Sequence, residues 1–200
     1  MTLSQRCTGL LVVTAIFLTG CGNSPGGSSP DAAFNNFKTA VGNDDWETAI
    51  AQLTNESQDM MASGMVMMAA FASISFDEDE AKANEESFKS LLASHGLDKA
   101  ELDDNASFAS EDPTGGMSEL MAPVKNKPAF IADLIKWIDE RSDDDGGMMD
   151  EVINGQLKNV EVDGETAKGV IAMTKDGEAN EEPVEFRKIN GKWFIHLPMN

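Results

Sequence analysis

The stretch Val184-Glu185-Phe186-Arg187-Lys188-Ile189-Asn190-Gly191-Lys192-Trp193-Phe194-Ile195-His196-Leu197 decides the architecture. Asn-Gly is the dipeptide favoured in a two-residue type I′ turn, whose two central residues both need a positive φ. Such a turn at Asn190-Gly191 sets Ile189 opposite Lys192. It pairs Phe186 with Ile195 and Val184 with Leu197 on one uniformly apolar side. The other side puts Glu185 opposite His196 and Arg187 opposite Phe194, and is expected to be the wetter one. Upstream, Asp176-Gly177 and Asp163-Gly164 are two further hairpin signals, and alternation sets in from Leu157 through Val160 and Val162. The C-terminal part therefore reads as an antiparallel meander.

The preceding residues follow a helical period. Ser29 is an N-cap with Pro30 at the first helical position, and Phe34, Phe37, Ala40 and Val41 recur at helical spacing until Gly42. Asp44 and Glu47 have capping-box spacing ahead of a stripe of Trp46, Ala49, Ile50 and Leu53. Thr54 can cap a third helix that runs through Met60, Met61, Met65, Met67 and Met68 toward Phe76, and it is expected to be a core helix. Residues 77–80, all acidic, open a fourth, with Phe88, Leu91 and Leu92 as its apolar positions and Gly96 as its stop. Residues 98–102 read as one more turn, and residues 110–116 are loop by composition. A last helix from about Pro128 carries Phe130, Ile131, Leu134, Ile135 and Ile138 with Trp137 alongside, and residues 143–147 close it. Helices followed by a meander give an α+β fold, with N-terminal helices packed on a C-terminal antiparallel sheet.

The N-terminus has a different logic. Arg6 precedes an apolar run over residues 10–18 that is too short to span a bilayer, since a spanning helix needs roughly 20 apolar residues. It ends in Leu18-Thr19-Gly20-Cys21, which resembles the bacterial lipobox, where the cysteine is acylated and becomes the new N-terminus. The expected organisation is a signal peptide over residues 1–20, a lipidated flexible tether over residues 21–29 rich in Gly, Ser and Pro, and a single domain over residues 30–200. The likeness to lipoproteins implies a cell-envelope protein held in a membrane by its lipid. Because Gly22 is not the Asp that retains such proteins at the inner membrane, it implies an outer-membrane site facing the periplasm.

A second resemblance rests on Ala33-Phe34-Asn35-Asn36-Phe37, Asp44-Asp45-Trp46-Glu47-Thr48-Ala49, Leu53-Thr54 and the ending Gly191-Lys192-Trp193-Phe194-Ile195. With these the chain resembles the nuclear-transport-factor-2-like, cone-shaped α+β domains of small exported lipoproteins. The resemblance implies a curved sheet and helices enclosing a cavity that serves binding, scaffolding or, in some members, catalysis.

Composition narrows the chemistry. The chain has 35 acidic and 15 basic residues and a net charge of −20, and the signal would remove one basic residue and no acid. Such a field repels phosphate, so nucleic acid is excluded as a partner and anionic lipid surfaces are disfavoured. Of the two cysteines, Cys7 leaves with the signal and Cys21 carries the lipid, so neither a disulfide nor a free thiol is expected in the domain.

The methionines at 60, 61, 65, 67 and 68 could offer soft ligands to Cu(I), but no His or Cys stands near them, and core filling is the preferred reading. Acidic groups at 77–80, 143–145 and 181–182 could attract Ca²⁺, yet none has EF-hand spacing, and a solvated face accounts for them. No metal or cofactor is assigned.

Two histidines, His95 and His196, and no tyrosine leave no nameable set of nucleophile, base and orienting group. Cone-fold isomerases pair an Asp base with a Tyr donor, which this chain lacks. His95 fits a helix C-terminus and His196 a cross-strand pair with Glu185. The leading expectation is a non-enzymatic envelope lipoprotein whose domain binds a ligand or protein partner. The alternative is a small isomerase-like enzyme using an apolar cavity.

Overall fold

The computed structural model describes residues 25–72, 78–99, 119, 121–141, 153–175 and 178–197. The lipobox residues Leu18, Thr19, Gly20 and Cys21 lie outside them, as do the Asp176-Gly177 turn and the stretches 110–116 and 143–147. The fold is α+β. Among the described residues five helices come first: α1 (Pro30–Val41), α2 (Trp46–Ile50), α3 (Asn55–Ala72), α4 (Glu78–Ser94) and α5 (Lys127–Asp139). They are followed by β1 (Gln156–Asp163), β2 (Thr166–Lys175), β3 (Glu178–Ile189) and β4 (Lys192–His196), an antiparallel sheet in that order.

Local chemistry sets the helix ends. The Ser29 hydroxyl accepts from the Ala32 amide at 3.1 Å, with Pro30 opening α1. The cap of α2 is Asp45, which accepts from Thr48, and not Asp44. Asp44 is at φ 55°, where the chain reverses, so its side chain cannot serve as the cap. Thr54 caps α3, accepting from the Ser57 amide at 3.3 Å, and Asn126 caps α5 by accepting from Ala129. Gly96, at φ 84°, ends the turn after α4, where the Leu97 amide reaches back to the Leu92 carbonyl at 3.0 Å.

The core gathers Phe34 of α1, Ile50 of α2, Phe88 and Leu92 of α4, Phe130, Ile131 and Leu134 of α5, and Ala167, Val184, Phe186, Trp193 and Ile195 of the sheet. The final hairpin keeps the expected register: Ile189 opposes Lys192, Phe186 opposes Ile195, and Asn190 and Gly191 sit at φ 51° and 82°. Helix α3 departs from expectation. It buries Ala62, Ser63, Val66 and Ala69, whereas Met67 and Met68 are exposed by 41% and 58%. Small residues let α3 lie close to α5, and the longer thioether side chains are left to its outer flanks.

The free edge of β4 is closed by two segments that belong to no strand. Gly27 and Trp193 exchange both backbone hydrogen bonds, and residues 52–54 run parallel to β4, with Ile195 N–H donating to Gln52 and accepting from Thr54 through its carbonyl. An open edge, which would invite pairing with another chain, is thereby covered. The Gly26 amide also donates to the buried Gln52 Oε1 at 3.1 Å, and Asn36 Nδ2 donates to the Gly26 carbonyl. The residues expected to form the second half of a flexible tether are, from Pro25 onward, packed against the domain. The physical reason is close approach: a Cβ on Gly27 would lie 2.2 Å from the Ala33 nitrogen, so only glycine fits there.

Candidate functional site

Two features meet where the 52–54 segment joins α3. The first is a buried polar cluster around His196, which is only 4% exposed although it lies on the side of β4 expected to be wet. The first turn of α3 covers it. Thr54 Oγ1 is 3.1 Å from His196 Nδ1 and 2.8 Å from Ser57 Oγ, and Ser57 Oγ accepts from the Leu197 amide at 2.9 Å. Glu56 reaches the same imidazole nitrogen at 3.8 Å and holds Arg187 Nη1 at 2.6 Å. Burial first, and Arg187 second, hold the His196 pKa below its ordinary value, against the opposing pull of Glu56 and Glu185.

The register places Glu185 opposite His196 as expected, but its ion pair is with Lys168 at 2.9 Å. Together with the Lys168 charge, that hydrogen bond lowers the Glu185 carboxyl pKa against a modest desolvation. The partners of His196 come instead from α3.

A serine, a histidine and a glutamate in one place invite comparison with a hydrolytic triad, and the geometry argues against it. In a triad the hydroxyl and the carboxylate engage opposite nitrogens of the ring, so that a proton taken on one side is stabilised from the other. Here Thr54, Ser57 and Glu56 all converge on Nδ1. Ser57 is 1% exposed and its oxygen already accepts from Leu197. The cluster ties α3 to the last strand, which is a structural task.

The second feature is an open groove of about 480 Å³ that shares Thr54 with the cluster. Its lining includes the apolar Leu53, Phe194 and Ile189, and Lys125, Asn126 and Lys127 at the start of α5. Pro25, the first described residue of the chain, stands at its rim, where its carbonyl accepts from Lys192 Nζ at 3.2 Å. Among the described residues no acid lines the groove; Lys127 is paired with Asp59, and Asn126 donates to Glu47 just outside it. Such a surface can hold an anionic or hydrogen-bond-accepting group against an apolar patch. It offers no positioned acid and base.

His95 stands at the end of α4 as expected and makes an exposed pair with Asp133 at 2.8 Å, its ring 5.1 Å from that of Phe130. Among the described residues no group of three or more His, Cys, Asp or Glu is placed to hold a metal ion, and no helix is long and apolar enough to cross a membrane. The groove lysines were not singled out in the sequence. The available signal was that residues 121–128 and 186–198 contain no acid in a chain so rich in acids. Comparison with known families, curated proteins and solved structures found no match to this chain.

Proposed function

We propose that this protein is a lipid-anchored component of the bacterial cell envelope, whose domain works by binding a ligand or protein partner and not by catalysis. The observation that carries the reading is Leu18-Thr19-Gly20-Cys21 at the end of a signal-length apolar run, followed within a few residues by chain already packed into the domain at Gly26 and Gly27. A lipid on Cys21 would thus be joined almost directly to a folded body. The resemblance to nuclear-transport-factor-2-like domains belongs to the same proposal, with outer-membrane placement facing the periplasm as its expected location.

The cavity-enzyme alternative calls for a polar pair at the base of an enclosed apolar space. Phe186, Trp193 and Ile195 instead fill the inner side of the sheet against the helices, and the polar pair Ser57 and His196 is consumed in mutual contacts, which favours binding. Cys21→Ser tests the reading. The expected result is loss of fatty-acid labelling and release of the protein from the membrane fraction; unchanged labelling and fractionation would overturn it.

A further inference from the structure

We infer that the groove side of the domain rests on the headgroups of the membrane that carries the anchor, with the exposed Lys125 directed at lipid phosphates. The inference builds on Cys21 being the lipidated residue. Four peptide units separate Cys21 from Pro25, and whatever their conformation they span no more than about 14 Å. Pro25 itself cannot swing away, because the next two residues are held by Gln52, Asn36 and Trp193. A domain of this size is roughly 40 Å across, so a leash of that length does not let it roll over and present its far side to the bilayer. The surface around Pro25 is the one that meets the lipid.

The chemistry of that surface suits the role. Lys125 and Lys127 line the groove, and Lys192 at the adjoining hairpin tip holds the Pro25 carbonyl beside it. Glu56 is paired with Arg187, Asp59 with Lys127 and Glu47 with Asn126, which leaves Lys125 as the exposed cation of the groove. At the tip, Ile189 is 42% exposed beside Asn190 and Gly191, offering an apolar contact at headgroup depth. The many acids elsewhere in the chain are repelled by lipid phosphate and turn the domain the same way.

The test uses the exported, lipidated full-length protein. Its mature form has no thiol other than the acylated Cys21, so a single introduced cysteine can be labelled uniquely. A fluorophore at Ile189→Cys is compared with one at Thr174→Cys, an exposed position toward the opposite end of the sheet, in phosphatidylethanolamine vesicles containing a headgroup-nitroxide lipid. The expected result is at least threefold stronger quenching at position 189, reduced by half or more when Lys125→Glu is added. Equal quenching at the two positions, or quenching at 189 that survives the charge reversal, would overturn the inference. The mass of the N-terminal peptide separates the two failures: a missing acyl group refutes the anchor, whereas an acylated protein with equal quenching refutes only the orientation.

Discussion

Gly27 and Trp193 hold each other by two backbone hydrogen bonds of 2.8 Å, so the first described residues are a strand-like neighbour of β4. Gly27→Ala would drive a methyl group into the backbone of α1 at Ala33, a neighbour that cannot rotate away. The expected cost is about 3 kcal/mol, the upper end for overpacking, read from the denaturant midpoint. An unshifted midpoint would mean that the segment is not docked in solution.

The two faces of the final hairpin should differ sharply in their tolerance. Phe186 is fully buried, and Phe186→Ala is expected to cost about 3 to 5 kcal/mol as a large-to-small core change. Glu185 pairs with a lysine that is 76% exposed, so solvent screens the interaction and Glu185→Ala should cost at most about 1 kcal/mol. Urea titration of both variants gives the order.

His196 predicts a pH dependence with a definite sign. Its pKa is lowered in the folded state, so the unfolded chain binds the proton first as the medium is acidified. The contribution is fully present above the ordinary imidazole value of 6.5 and is lost as pH falls from there toward the folded value. His196→Asn retains a polar group near the position of Nδ1 but cannot titrate. Its stability should therefore fall less between pH 7.5 and 5.5 than that of the wild type, measured by urea midpoints across that interval. Parallel pH profiles would show that the imidazole is not buried neutral.

Methionine oxidation reads out the placement of α3. With dilute peroxide, Met67 and Met68 should form sulfoxides first, Met61 and Met65 more slowly because they pack partly against the core, and fully buried Met121 last. Peptide mass spectrometry over time gives the sequence of events. Early oxidation of Met121 would show that the packing of the 121–128 stretch is wrong.

What could be read from residues alone varied with how local its cause was. The register of β3 and β4 follows from Asn190-Gly191 because a two-residue turn leaves no freedom in pairing, and Ser29 and Thr54 are caps whose partners lie three residues away. The orientation of α3 was not legible. Its buried side is built from Ala62, Ser63, Val66 and Ala69, which give a weaker hydrophobic signal than the methionines flanking them.

The stretch around Gly26 and Gly27 looked like a linker for a related reason: the same absence of side chains that marks a flexible coil also permits the closest packing. The groove is assembled from Pro25, the end of α2, the start of α5 and the last hairpin, segments far apart in sequence with no shared pattern. His196 was placed correctly in register, but the helix turn that buries it is set by tertiary contact alone.

The clamping of β4 has a consequence for how the chain acquires its structure. Both segments that pair with the strand's outer edge, at Gly27 and Leu53, lie far ahead of the strand itself in the sequence. Closing such a large loop is entropically slow and cannot begin until the strand has been made. A chain built this way stays unfinished while it is being made, with its opening residues still unpaired. That is the condition a polypeptide must keep if it is to be threaded through a membrane before it folds.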